Sequence, residues 1–232
     1  MTTGITCDNI VYRYPGASTE VFSGLSFRII EPGFNALFGP SGVGKTSLAK
    51  IIVEEIEGFS GGVRADGMTR LFYSYNLERL PDWSSVGKHL DRINPVSTGG
   101  LKDNLIKAFG MADYLGLRFS QLSLGQQNRI NLMRYLLQEF DLLIMDESLA
   151  NVDEKTRESI ILNIKTMFPD RHFLYISHNV VEVSKFCRDI VVLRGALKNP
   201  QTTSLKGIDI QNHQTLDKER LEQTMLEIMN AS

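Results

Sequence analysis

The chain has 232 residues, with 25 basic and 27 acidic side chains and a formal net charge of −2. This length is enough for one large α/β domain with a substantial core, and the nearly balanced charge argues against a nucleic-acid partner bound through a broad basic face. Cys7 and Cys187 form neither a C-x-x-C pair nor a metal-ligand spacing. Two such cysteines are typical of free thiols in a reducing compartment. The sequence has neither a signal-peptide pattern nor an apolar run of about 20 residues, so we expect a cytoplasmic location without a membrane anchor of its own.

The first half of the chain predicts strands followed by an insertion. Alternating apolar residues predict half-buried strands at 10–14 and 25–30, separated by a turn at Pro15 and Gly16. Further strands are predicted at 34–38 and 70–75. Residues 76–121 then change to turns and short helical stretches, which indicates an inserted helical subdomain.

The second half alternates helices and strands, which predicts a mainly parallel sheet with right-handed crossovers. Residues 198–214 are polar and are predicted to be irregular, and they lead into a terminal helix at 216–229, so 198–232 is a C-terminal tail. The predicted helices are 126–138, 154–167 and 180–186, and the predicted strands are 142–145, 172–176 and 190–193.

A phosphate-binding loop is predicted between the strand at 34–38 and the helix behind it. Two glycines separated by four residues and followed by Lys and Thr let successive backbone N–H groups face one anion, and the helix N-terminus adds partial positive charge. Lys45 is expected to reach the outer phosphates of a nucleoside triphosphate, and the Thr46 hydroxyl to bind Mg²⁺. The loop is Gly39, Pro40, Ser41, Gly42, Val43, Gly44, Lys45 and Thr46.

Two carboxylates follow the apolar strand at 142–145. Asp146, at the carboxyl end of a parallel strand, is expected to hold Mg²⁺ directly or through water. Glu147 is placed to polarise an attacking water. A solvated acidic turn is the alternative for this pair, and the phosphate-binding loop upstream favours the catalytic interpretation.

A short motif before that strand resembles the signature motif of ATP-binding cassette (ABC) ATPases, whose usual form is L-S-G-G-Q. Leu124 replaces the first glycine of that form. The resemblance implies that Ser123, Gly125 and Gln126 contact the ATP bound by an opposite subunit. The motif here is Leu122-Ser123-Leu124-Gly125-Gln126-Gln127.

Four more positions match this family in the correct order. Asp153 resembles the aspartate of the D-loop, and His178, after the strand at 172–176, resembles the switch histidine that contacts the γ-phosphate. Tyr14 resembles the aromatic residue that stacks on adenine, with Tyr12 as the second choice and a buried strand aromatic as the alternative. Asn76 stands where the family normally has glutamine, which implies a Mg²⁺ ligand that is one methylene shorter.

The resemblance implies an α/β P-loop NTPase fold with a RecA-like, mainly parallel sheet, an antiparallel β subdomain and the helical insertion at 76–121. Residues 1–232 would then form a single ABC domain. Its catalytic residues would be Lys45, Glu147 and His178, and Thr46, Asn76 and Asp146 would hold Mg²⁺.

The resemblance also implies a task and partners. Two ATPase subunits would sandwich ATP head to tail and drive transmembrane permease subunits from the cytoplasmic face of the membrane, docking through apolar residues of the insertion. The segments 80–83 and 153–157 are similar to nitrate, sulfonate and taurine importers, which favours import of a small polar or anionic solute. An exporter, a lipid-extracting subunit and a non-transport ABC ATPase remain alternatives. The expected docking residues are Trp83, Leu90, Leu101, Leu105 and Phe109.

Overall fold

Two β-sheets and seven α-helices make up the computed structural model of this chain in the part it describes, which is residues 3–76, 78–80, 82–93, 100–212 and 214–232. The strands are β1 (Gly4–Tyr12), β2 (Phe22–Ile29), β3 (Gly33–Phe38), β4 (Ser60–Asp66), β5 (Leu71–Tyr75), β6 (Leu142–Asp146), β7 (His172–Ile176), β8 (Asp189–Leu193) and β9 (Thr202–Lys206). The α-helices are α1 (Lys45–Ile52), α2 (Val86–Ile93), α3 (Leu101–Ala108), α4 (Leu124–Leu136), α5 (Glu154–Met167), α6 (Val180–Phe186) and α7 (Lys218–Ala231).

The larger sheet has six strands in the order β5-β6-β7-β3-β8-β9. The first five are parallel, and β9 pairs antiparallel with β8 at one edge. All five residues of β6 are buried, because the sheet is covered on both faces. Leu143 and Met145 belong to the core shared with the helices α4 and α5, whereas Leu142 and Ile144 belong to the core shared with α1.

The smaller sheet is antiparallel, in the order β2-β1-β4. Its strands alternate buried and exposed side chains, and buried residues such as Ile10 and Phe22 join the same core as Leu48 of α1. This sheet therefore covers α1, the helix that follows the phosphate-binding loop. The predicted α/β fold with a mainly parallel sheet and an antiparallel β subdomain is confirmed.

In its described residues the insertion contains α2, α3 and two short 3₁₀ turns, Ala112–Tyr114 and Phe119–Gln121. The expected docking groove is wrong in part, because Leu90, Leu105 and Phe109 are fully buried in the core that the insertion shares with α4 and α5. Trp83 is 73% exposed. The positions Pro81 and 94–99, which the turn prediction used, lie outside the described residues.

The prediction of an irregular segment at 198–214 is wrong, because β9 adds a strand to the large sheet. Buried Gln201 ties this segment to β2 by donating to the Val21 carbonyl and accepting from the Ser23 amide. The strand β4 was also missed. Both strands lie at sheet edges and are half exposed and polar, so neither carries the apolar alternation that predicts a strand.

Candidate nucleotide-binding site

The loop between β3 and α1 has a backbone that only glycine can follow at its two ends. Gly39 has φ +151° and Gly44 has φ +104°. A Cβ atom at Gly39 would lie 2.3 Å from the Leu193 carbonyl oxygen, and one at Gly44 would lie 2.8 Å from the Phe22 ring. The spacing of glycines in the sequence therefore reflects both the conformation of the loop and its close packing.

Lys45, the first residue of α1, turns its ammonium group back over the loop. Its Nζ donates hydrogen bonds of 2.8 Å to the carbonyl oxygens of Gly39 and Pro40. Burial lowers the pKa of Lys45, and the nearby charges of Asp146 and Glu147 oppose that shift. A cation held by neutral carbonyls beside an amide-lined loop can exchange them for phosphate oxygens, which make stronger charge-assisted bonds.

Two hydroxyl groups from different elements donate hydrogen bonds to the same oxygen of the Asp146 carboxylate. The Thr46 hydroxyl donates to Asp146 Oδ2 at 2.6 Å, and the Tyr73 hydroxyl donates to the same oxygen at 2.8 Å. Burial and the adjacent Asp146 charge raise the pKa of Tyr73, so its phenol keeps its proton. Sequence reasoning missed Tyr73. The sequence offered only its place in the predicted strand at 70–75, which ends beside Asn76, and the pairing of that strand with the one that carries Asp146 is visible only in the structure.

Glu147 and His178 form a pair at the mouth of the pocket. His178 Nε2 lies 2.5 Å from Glu147 Oε1, and both side chains are partly exposed. Glu147 adopts a left-handed backbone with φ +51°, and its amide donates to the Ile176 carbonyl at 3.1 Å. The turn after β6 is thereby held against the end of β7, which is the strand that leads to His178.

These groups surround one cavity of about 460 Å³. Tyr14 lies on its wall, half exposed, and shares a hydrogen bond of 2.5 Å with the hydroxyl of Ser47. Tyr12, the second choice for the adenine contact, is buried. The cavity is lined by Tyr14, Ser41, Gly42, Gly44, Lys45, Thr46, Ser47, Tyr73, Tyr75, Asn76, Asp146, Glu147 and His178.

Asn76 lies in the cavity wall with its side-chain oxygen already engaged. Asn128 Nδ2 donates to Asn76 Oδ1 at 2.9 Å and to the Ala150 carbonyl at 2.6 Å. Buried Asn128 therefore connects the end of β5, the helix α4 and the turn after β6. In this arrangement the Asn76 oxygen binds an amide, and its role as a Mg²⁺ ligand stays a prediction.

The signature segment and Asp153 do not line the cavity. Ser123 is the exposed N-cap of α4 and accepts from the Gln126 amide, while the Gln126 side chain accepts from the Ser123 amide. Gly125 packs so tightly that a Cβ would lie 2.3 Å from the Asn151 carbonyl oxygen. Asp153 is the N-cap of α5 and accepts from the Thr156 amide at 3.0 Å. Within one chain Ser123, Gln126 and Asp153 act as helix caps, and Gly125 in α4 allows close packing.

The family is settled by comparison with known proteins. The sequence matches the family model described as ABC transporter over residues 22–150. The chain belongs to this family. The match begins at β2 and runs through the phosphate-binding loop, the insertion, the signature segment and the carboxylates after β6, so the predicted resemblance is confirmed.

Relatives of this ABC chain include import proteins. It is 30% identical to the phosphonates import ATP-binding protein PhnC 2 of Synechococcus sp. over 217 residues, covering 81% of this chain and 80% of that protein. It is 29% identical over 180 residues to the molybdenum import ATP-binding protein ModC of Saccharophagus degradans, covering 69% of this chain and 50% of that protein. The chain thus spans about half the length of its molybdenum-importing relatives.

A solved structure supports the fold. The structure of a bacterial Atm1-family ABC exporter with ATP bound superposes with a TM-score of 0.74 at 21% identity, covering 84% of this chain and 37% of that one. At this identity the likeness concerns the fold alone. In the described part of the ABC chain, no helix has the length and apolar character needed to cross a membrane.

The residues present suit a nucleotide with Mg²⁺. The cavity pairs one cationic side chain and an amide-lined loop with the hard oxygens of Thr46 and Asp146, which are the donors that Mg²⁺ prefers. No cluster of three or more His, Cys, Asp or Glu side chains that could hold a metal occurs among the described residues. Thr46 and Asp146 are two oxygen donors, a number that fits a Mg²⁺ ion whose other ligands are phosphates and water.

Proposed function

We propose that this chain binds ATP with Mg²⁺ and hydrolyses it as the nucleotide-binding subunit of an ABC importer for a small anionic solute. The observation that carries the proposal is the cavity itself. It gathers a buried lysine, the Thr46–Asp146 pair and the Glu147–His178 pair at the carboxyl ends of parallel strands. Each of these groups has a place in phosphoryl-transfer chemistry.

The binding step is proposed to use the loop and Lys45. The backbone amides of residues 39–46 and the N-terminus of α1 would bind the phosphates, and Lys45 would leave the carbonyls of Gly39 and Pro40 for the outer phosphates. Thr46 and Asp146 would hold Mg²⁺, which when bound neutralises charge on the transferred phosphoryl group. Tyr14 would stack on the adenine.

The hydrolytic step is proposed to use the pair at the cavity mouth. Glu147 would orient a water and accept its proton. His178, 2.5 Å away, would hold the Glu147 carboxylate in place and face the γ-phosphate. Glu147 lines the cavity and has a left-handed backbone with φ +51°.

The proposed partners are a second ATPase subunit and transmembrane permease subunits, without nucleic acid. Ser123, Gly125, Gln126 and Asp153 lie outside the cavity, which fits contact with ATP held by an opposite subunit rather than by their own. ATP shared in this way would stabilise the dimer, and hydrolysis would release it. The permease would hold the pair at the cytoplasmic face of the membrane.

Import of an anionic solute is supported by the relatives, which are named for phosphonates and molybdenum. The similarity to nitrate, sulfonate and taurine importers stays a prediction. Exposed Trp83, beside the Asp82–Ser120 hydrogen bonds, is the expected point of contact with the permease.

The test is membrane attachment with and without the permease. We expect the wild-type chain in the membrane fraction only when a permease is co-expressed, and ATP hydrolysis that depends on Mg²⁺. Charge reversal at exposed Lys88 or Arg92 of α2 should weaken attachment while ATP binding remains. Arg220→Glu, an equally exposed reversal on α7, is the matched control. Firm binding to protein-free lipid vesicles, or specific binding to DNA, would contradict the proposal.

A further inference from the structure

The ring of Tyr73 is fixed in the wall of the cavity. Its side chain is 8% exposed, and the ring stacks on Tyr75 with centroids 5.7 Å apart and planes at 22°. The Nζ atom of Lys50, a residue of α1, lies 5.9 Å from the centroid of the Tyr73 ring. A ring held by a stacking neighbour and a cation keeps its hydroxyl at a defined position.

That hydroxyl is directed at the carboxylate that the proposed function assigns to Mg²⁺. Strands β5 and β6 are parallel neighbours, with Tyr73 opposite Ile144 and Tyr75 opposite Asp146. The Tyr73 hydroxyl reaches across this pairing to Asp146 Oδ2 at 2.8 Å, and Thr46 donates to the same oxygen at 2.6 Å. Among the described residues no hydrogen bond reaches the other oxygen, Oδ1, so one oxygen of the carboxylate is anchored twice and one is left for a ligand.

We propose that Tyr73 is a positioning residue of the Mg²⁺ site, which fixes the orientation of Asp146 through its hydroxyl. The inference rests on the proposed function, since it concerns the metal that accompanies ATP. Asp146 is itself buried, so a lost donor would not be replaced freely by water. Without the Tyr73 hydroxyl, the hydrogen bond from Thr46 is the only one among the described residues that would restrain rotation of the Asp146 carboxylate.

Removing the Tyr73 hydroxyl has two effects on the affinity for Mg²⁺, and they act in opposite directions. A freer carboxylate binds a metal less well because its orientation must be restored on binding. Losing one donor also leaves more of the carboxylate's electron density available to the cation, which would strengthen binding. We expect orientation to dominate, because Mg²⁺ demands near-ideal octahedral geometry.

The experiment measures binding of the fluorescent nucleotide mant-ATP to the purified full chain. One series is run in EDTA and another over a Mg²⁺ titration, and Mn²⁺ binding with mant-ATP present is followed by electron paramagnetic resonance. For Tyr73→Phe we expect unchanged affinity in EDTA, a Mg²⁺ midpoint raised about three- to tenfold, and a matching loss of Mn²⁺ affinity. Tyr75→Phe is the matched control, since Tyr75 lines the same cavity and stacks on the same ring.

A double-mutant cycle with Asp146→Asn separates positioning from general packing. If Tyr73 acts through Asp146, adding Tyr73→Phe to Asp146→Asn should change the Mg²⁺ midpoint little further. An unchanged or lowered midpoint in Tyr73→Phe, an equal shift in Tyr75→Phe, or an equal loss in EDTA would each overturn the inference. Absence of mant-ATP binding by the wild-type chain would instead overturn the proposed function.

Discussion

The cavity and the signature segment are the two regions of this chain that are proposed to bind phosphate, and they differ in how many elements contribute to them. The cavity is enclosed by residues from several elements, with Lys45 buried and Asp146 held by two donors. The signature segment, at the start of α4, has Ser123 and Leu124 exposed, with its polar groups bonded to each other as a helix cap.

A sequence motif can therefore fold into a regular helix cap without forming a ligand-binding site within its own chain. In the cavity, strand ends and a helix N-terminus converge, so charges from distant parts of the sequence act on one ligand. At the start of α4, the polar groups of Ser123 and Gln126 are bonded to each other, and neither residue lines the cavity. The proposed binding role of this segment would therefore need a second subunit.

The largest effect is expected at Glu147. Glu147→Gln should retain ATP binding and lower hydrolysis by on the order of 10² to 10⁴-fold, because an amide cannot accept a proton from water. Hydrolysis is measured with the permease present, and binding by calorimetry. Glu139→Gln, at an exposed carboxylate paired with Arg70, should leave both unchanged. Turnover at the wild-type rate would remove Glu147 from the role of base.

Lys45→Ala should weaken ATP binding by about 100-fold, because the proposed charge-assisted contact of Lys45 with the phosphates would be lost. Calorimetry on the purified chain measures this directly. Lys50→Ala is the control on the same helix, where a partly exposed ammonium group lies 3.8 Å from Glu55. Equal ATP affinity in the Lys45 variant would show that the loop does not bind nucleotide.

Asn128→Ala tests the connection between the two regions. It should lower the free energy of unfolding by about 1 to 2 kcal/mol, because the partly buried acceptors of Asn76 and Ala150 lose this donor. Urea denaturation measures the loss. Asn163→Ala, which removes an exposed amide on α5, should cost much less. Equal losses in the two variants would show that Asn128 does not connect the regions.

The smallest effect is expected at Leu124, which stands where the family has glycine and is half exposed. In a Glu147→Gln background, Leu124→Gly should raise the ATP-dependent dimer fraction a few-fold by removing bulk from the proposed contact, while ATP binding by the monomer is unchanged. Gly at the first position of a helix costs about 1 kcal/mol at most. Sedimentation with ATP and Mg²⁺ decides the question, and a lower dimer fraction would count against the idea.

Much of the fold could be predicted because its signals are local. The helices α5 and α6 and the strand β7 have the predicted bounds, since each combines a clear period with a cap or a turn. The other elements of the parallel sheet shifted by one or two residues at their ends. The strands β4 and β9 were missed because pairing along one edge, which the sequence does not display, is what makes them strands.

The candidate site likewise contains residues that the sequence predicts and contacts that it does not. The phosphate-binding loop, Asp146, Glu147 and His178 could be predicted as site residues from local motifs, because few residue types tolerate such a loop or supply such chemistry. The hydrogen bonds from Tyr73 to Asp146 and from Asn128 to Asn76, and the place of the signature segment outside the cavity, are visible only in the folded chain. Hydrogen bonds between residues about 50 or more positions apart depend on how the strands and helices pack, and no local spacing in the sequence encodes them.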